Sequence, residues 1–156
     1  RVKTGDTFAV PVALAVAIGR VACFEAGCCY GRATNLPWGV VFSAAPDRLP
    51  RHPAQLYESL FHLTLAGLMI VLHRRRQGIG HVFRGQLVKL YILAYLAFRF
   101  ASEYWRPEPP IAWGLTGYQW TSLALAPLFL WMWWRDRPLS PCSEPRQSAA
   151  GTHSSI

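Results

Sequence analysis

Acidic residues are scarce in this 156-residue chain: eight Asp and Glu stand against 16 Lys and Arg, a formal charge of +8. Internal repeats are lacking, which argues against an array of stacked repeat units. No two cysteines are spaced C-x2-C, so the common zinc-site patterns do not apply. The first apolar segment does not read as a signal peptide. The chain opens on Arg1 rather than on methionine, and the expectation is the C-terminal part of a longer membrane protein.

What is abundant is apolar. Hydrophobic residues make up 52% of the chain, seven of them tryptophan, and they come in blocks with the basic residues between. A helix that crosses a bilayer needs about 20 mostly apolar residues, and residues 8–24, 56–73, 85–101 and 118–134 approach that size. The basic excess would also suit a nucleic-acid binder, but such surfaces interleave Lys and Arg with polar residues along one exposed face. Here Arg74, Arg75 and Arg76 follow the apolar run that ends at Leu72 with only His73 between, as at a helix end on a membrane surface. The positive-inside rule accounts for the charge, and no nucleic-acid partner is expected.

The expected fold is therefore all-α: a polytopic membrane domain over residues 1–137 with four transmembrane helices and an extracytoplasmic capping loop. Residues 138–156, rich in Pro, Ser and small residues, read as a disordered cytoplasmic tail, with Cys142 as a free thiol. Counting basic residues puts Arg1, Lys3, the 74–84 loop, Arg135 and Arg137 on the cytoplasmic side. Loops 25–55 and 102–117 then face outward. Arg32, Arg48 and Arg51 dissent in the first of these, so each needs another reason to be there. The stretch 37–53 carries "LPWG", "AAPD" and "LPRHP", which predicts turns and extended backbone rather than helix.

Ionisable residues inside apolar runs mark the candidate chemistry. In "YLAFRFASEYWRPEPP", helical spacing of about 100° per residue places Tyr95, Arg99, Glu103 and Arg106 at roughly 0°, 40°, 80° and 20°. All four share one narrow face near the outer end of the third span. Arg20 follows residues 13–19 with no polar break and lies at the same level. Two readings compete. The guanidinium groups simply snorkel to the interface, with Glu103 an ordinary i,i+4 partner of Arg99, or they form an anion site that offers bidentate donors to a phosphate. In "RHPAQLYES", Pro53 suits a first helical turn, and Gln55 and Glu58 read as a polar collar at the outer surface. His52 reads as a hydrogen-bonded interfacial residue more readily than as a base.

Cys23, Cys28 and Cys29 follow Arg20 with spacing C-x4-C-C. Either they fill a tight glycine-flanked turn as small apolar residues, or they carry thiol chemistry, with Cys28 or Cys29 able to bond to Cys23 in an oxidising compartment.

Several stretches together resemble one family, the bacterial prolipoprotein diacylglyceryl transferases. "GRVACFEAGCCYGRATNLPWGVVF" is similar to its signature, in which a Gly-Arg pair leads through Gly-Asn-Phe to a Gly-Glu-aromatic-Gly-Arg turn and "LPWG". "RHPAQLYES", "YLAFRFASEYWRPEP" and "GLTGYQWTSL" resemble three further elements in the correct order, so the likeness covers most of residues 6–134. The resemblance implies a multi-pass enzyme of the bacterial inner membrane, embedded among membrane lipids. It would move diacylglyceryl from phosphatidylglycerol to the lipobox cysteine of a prolipoprotein peptide and release glycerol phosphate. It implies that Arg20 and Arg99 hold the lipid phosphate, that Tyr95, Glu103 and Arg106 support them, and that Gly31 shapes the signature turn. No metal and no organic cofactor are implied. Cys23 stands where the family's signature has Asn and Cys28 where it has Glu, which marks a cysteine-bearing branch. The family's His-Gly-Gly element belongs to an upstream half not contained in this sequence. The alternative reading is a membrane thiol-redox or thiol-carrier protein that uses Cys23, Cys28 and Cys29 on the same fold.

Overall fold

A computed structural model describes residues 5–75 and 85–136. The expectations for Arg1, Lys3, Arg76, Arg84, Arg137 and the 138–156 tail with its Cys142 lie outside these residues. Among the described residues there are four α-helices, α1 (Gly5–Glu25), α2 (Ala54–Arg74), α3 (Leu87–Ser102) and α4 (Gly117–Arg135), with a 3-10 turn at Glu103–Trp105. Each begins and ends within three residues of the apolar stretch that announced it. Two of them, at Asp6–Glu25 and Ala54–Arg74, are long and apolar enough to cross a membrane. At 1.5 Å per residue, 21 residues extend about 31 Å, close to the thickness of a hydrocarbon core.

Successive helices run antiparallel. α1 packs chiefly on α2 and α3 chiefly on α4, with α1 and α3 also in contact. The α1–α2 seam is made by small residues. Ala9, Ala13 and Ala17 recur every four residues, each at most 2% exposed, so the backbones approach closely. The Ser59 hydroxyl donates to the Ala17 carbonyl across that seam at 3.0 Å. Leu65, Ala66 and Met69 on α2 complete the core with Leu87 and Tyr91 on α3. The other faces of α1 and α2 leave Phe8, Val12, Ile18, Leu60, Leu63 and Val71 exposed, as a lipid-facing surface would.

The two ends of the bundle differ. At one end Asp6 caps α3 by accepting from the Leu87 amide at 3.0 Å and also binds the Gly85 amide. Lys89 there pairs with Asp136 at 2.5 Å. Lys89 holds the Asp136 carboxyl below its ordinary value through that hydrogen bond, and Arg135 adds to the effect. Basic Arg74, Arg75 and Arg135 lie at this end, in the distribution that the loop count anticipates. At the opposite end the loop between α1 and α2 folds over the helix termini. It contains two short strands, β1 (Val40–Val41) and β2 (Pro50–Arg51), paired antiparallel with Val40 opposite Arg51, in keeping with the turns and extended backbone read from its prolines. Phe42 is its buried anchor, edge-on to Phe24 and stacked on Tyr30. Thr116 starts α4 with a capping box: its hydroxyl accepts from the Gln119 amide while the Gln119 side chain accepts from the Thr116 amide.

Candidate functional site

α2 carries one buried stripe that changes character along its length. Gln55, Glu58, Ser59 and His62 occupy the end beneath the loop, and Leu65, Ala66 and Met69 continue the same face. The collar expected at the surface is therefore interior, since Gln55 is 0% and Glu58 1% exposed. The reason is tertiary. α1 and α3 close on this face, and each brings an arginine to it.

Glu58 is the centre of the cluster. Arg20 Nε pairs with its Oε2. Arg99 Nη1 donates to Oε1 at 3.2 Å, and Arg106 Nη2 donates to the same oxygen at 2.6 Å. Arg20 reaches α2 because it falls seven residues after Ala13, two turns along the small-residue seam. Glu103 Oε2 lies 3.6 Å from Arg99 Nη2 as the i,i+4 partner that the spacing anticipates. Glu103 is 2% exposed, yet neither of its carboxylate oxygens takes a hydrogen bond among the described residues. Arg99 also stacks over the Tyr118 ring, 4.2 Å from its centroid, which brings α4 into the site. Tyr95 interacts with the Arg20 side chain through its hydroxyl and packs its ring 5.2 Å from that of His62.

Arg20, Tyr95, Arg99, Glu103 and Arg106 are thus brought together, but not all as one helical face. The helix stops at Ser102, Glu103–Trp105 form a 3-10 turn, and Arg106 is extended at φ −97°. Pro107 accounts for this, because a residue before proline is driven out of the α region. Arg106 reaches Glu58 from beyond the helix end.

Gly31 sits where three chain segments meet. Its amide donates to the His52 carbonyl at 2.9 Å, and the neighbouring Arg32 amide donates to the Trp105 carbonyl at 2.7 Å. A Cβ on Gly31 would lie 2.7 Å from both the Trp105 oxygen and the His52 Cβ. Arg32 and Arg51, which dissented from the charge rule, belong to this seam. Arg32 Nε donates to the Arg106 carbonyl at 2.7 Å. Arg51 pairs with Asp47 at 2.6 Å, donates to the Gly31 carbonyl and lies over the Tyr30 ring. The Arg51 hydrogen bond holds the Asp47 carboxyl below its usual range. His52 interacts with the Tyr57 hydroxyl at 3.4 Å and stays outside the arginine cluster.

Two residues of the site went unrecognised in the sequence. Glu58 sits among polar neighbours at a helix start, which reads as surface. His62 is 0% exposed one turn further along, its Nδ1 at 3.3 Å from the Tyr91 hydroxyl and its Nε2 without a hydrogen-bond partner among the described residues. Its i+4 relation to Glu58 was the available signal.

α1 ends in a Schellman turn: the Gly27 amide donates to the Phe24 carbonyl and the Cys28 amide to the Cys23 carbonyl, with Gly27 at φ +67°. Cys29 follows at φ +61°, a left-handed conformation that costs most residues energy. The Cys23, Cys28 and Cys29 sulfurs all lie within 4.8 Å of one another. The Cys28 thiol is pushed up from its ordinary value, first by its hydrogen bond with Cys29. Gln55 Nε2 donates to the Cys28 carbonyl at 2.5 Å and so ties this turn to the start of α2.

The chain is similar to known proteins over this same region. The model of the prolipoprotein diacylglyceryl transferase family matches residues 1–135. A phosphatidylglycerol-prolipoprotein diacylglyceryl transferase of Clostridium tetani is 39% identical over 69% of this chain and 42% of its own length. Those of Cupriavidus necator and Paracidovorax citrulli are 37% and 33% identical over 90% and 87% of this chain, and 53% and 52% of their own. The chain spans about half the length of the curated relatives it matches. With a family match that runs through every residue of the arginine–glutamate cluster, the chain belongs to the prolipoprotein diacylglyceryl transferases.

Proposed function

We propose that this chain forms the phospholipid-binding half of a transferase that moves diacylglyceryl from phosphatidylglycerol to the lipobox cysteine of prolipoproteins. Residues 1–137 form its membrane domain, with all four helices crossing the bacterial inner membrane and the 25–55 loop on the outer side. The observation that carries this reading is the cluster itself, in which Glu58, Glu103, Arg99 and Arg106 are buried and Arg20 is half-buried. Arg20, Arg99 and Arg106 stand against Glu58 and Glu103, three positive charges against two negative. The surplus of one matches the single charge of a phosphodiester. Buried guanidinium groups are stable only when paired, and a lipid phosphate would share their donors with Glu58.

Arg20 and Arg99 hold the phosphate in this scheme, with Arg106 as a further donor and Tyr95 orienting Arg20. The two hydrogen-bond-free oxygens of Glu103 suit the hydroxyl groups of a glycerol headgroup, which a buried acceptor needs. Gly31 keeps the loop close enough to cover the site. As the lipobox thiolate attacks the glyceryl carbon, a C–S bond forms and the C–O bond to phosphate breaks, with the electron pair leaving on the phosphate oxygen. Fixed guanidinium groups stabilise the charge that collects there.

The test uses the native full-length form in membranes, with labelled phosphatidylglycerol and a lipobox peptide. Lipid transfer that is lost in Arg99→Ala and survives the triple Cys23→Ser, Cys28→Ser, Cys29→Ser change supports the reading. Transfer that depends on the cysteines but not on Arg99 overturns it in favour of thiol chemistry.

A further inference from the structure

Among the described residues, none of the hydrogen bonds and ion pairs that build the arginine cluster reaches a cysteine side chain. The Cys23, Cys28 and Cys29 sulfurs converge although C-x4-C-C is no recognised metal-ligand spacing, because the Schellman turn reverses the chain after Cys23 and the left-handed Cys29 turns it again. Three thiols within 4.8 Å of one another can meet on a single ion. A metal at about 2.3 Å from three sulfurs sets them roughly 4 Å apart, so small side-chain rotations close the set. Cys28 and Cys29 are exposed and Cys23 is half-buried, and all three are free thiols. The site is therefore open to an incoming ion.

We propose that Cys23, Cys28 and Cys29 form a three-thiolate site for one soft, thiophilic metal ion, with monovalent copper as its preferred occupant. Thiolates select soft ions. Zinc in structural sites takes four protein ligands, and this group supplies three, the number that suits trigonal Cu(I). Binding exchanges each thiol proton for a bond to the metal, so up to three protons are released. The site lies one turn beyond Arg20 and is joined to α2 through Gln55, yet it shares no ligand with the arginine cluster. This inference stands independently of the transferase reading.

The test takes the full chain, purified in detergent with its thiols reduced and handled without oxygen. It is titrated with Cu(I) in the presence of a chromophoric copper chelator, and in parallel with Zn(II). The expected result is one Cu(I) per chain held against the chelator, none in the triple Cys23→Ser, Cys28→Ser, Cys29→Ser variant, and an unchanged stoichiometry in Cys142→Ser. The single change Cys28→Ser, at an exposed side chain, is expected to lower the Cu(I) affinity at least tenfold with the fold intact. Uptake that persists in the triple variant, or an affinity unaltered by Cys28→Ser, overturns the site. So does a wild-type chain whose thiols all react with a thiol reagent but which takes up no copper. Tighter retention of Zn(II) than of Cu(I) overturns the choice of occupant.

Discussion

Arg106 Nη2 donates to Glu58 Oε1 at 2.6 Å, joining a guanidinium just past the end of α3 to a carboxylate one turn into α2, 48 positions apart in the chain. Both side chains are buried. Glu58 receives Arg20 and Arg99 as well, so its loss removes a carboxylate from three cations, of which Arg99 keeps a second one in Glu103.

Replacement of Glu58 by Gln keeps the shape and removes the charge. Breaking a buried ion pair by deleting one partner costs about 3 to 5 kcal/mol, so Glu58→Gln is expected to lower thermal stability of the chain in detergent by a comparable amount. Thermal unfolding with and without an added anionic phospholipid checks this. The lipid phosphate is expected to restore part of the loss, because it supplies the missing negative charge.

Arg99→Lys keeps the charge but loses the fork that reaches Glu58 and Glu103 and the planar stack on Tyr118. The two side chains are not interchangeable at such a position. On the proposed transferase reading, loss of a charge-assisted hydrogen bond worth about 1.5 to 3 kcal/mol corresponds to roughly a 10- to 150-fold fall in lipid-transfer efficiency. Initial rates in the full-length form against phosphatidylglycerol concentration measure it.

At Gly31 a methyl group would meet a backbone oxygen and the His52 Cβ at 2.7 Å. Neither is the free end of a flexible side chain, so the segments must separate. Gly31→Ala is expected to destabilise by about 1 to 3 kcal/mol, as overpacking does, and to raise the rate at which a protease cuts within the 25–55 loop. Limited proteolysis followed by mass mapping reads the second effect.

The far end of the bundle gives a pH signature. Lys89 holds the folded-state pKa of Asp136 below its ordinary 3.8, so the pair's contribution is present above that value and is lost as pH falls through the lower folded value. Lys89→Met is therefore expected to be less stable than wild type at neutral pH, with a gap that narrows as the solution is acidified below 3.8. Melting temperatures of both proteins across that range decide it.

The helices were legible because each is an apolar run of about the right length, and Arg99 and Glu103 were legible because charge inside such a run is conspicuous. Glu58 was hidden for the opposite reason: beside Gln55 and Ser59, it looks like any polar residue at a helix start, and only the approach of α1 and α3 buries it. The break at Ser102 was written in Pro107, yet helical spacing carried Arg106 onto the same face. The cysteine group was beyond a spacing argument, since it depends on backbone angles at Gly27 and Cys29 that no ligand pattern encodes.

Arg32 grips the outgoing end of α3 twice, by its amide on the Trp105 carbonyl and by its side chain on the Arg106 carbonyl. Loop and helix exit are consequently one mechanical part. A force that lifts the cap is transmitted to the backbone of Arg106 and draws that guanidinium off Glu58, so uncovering the site and dismantling it are a single motion.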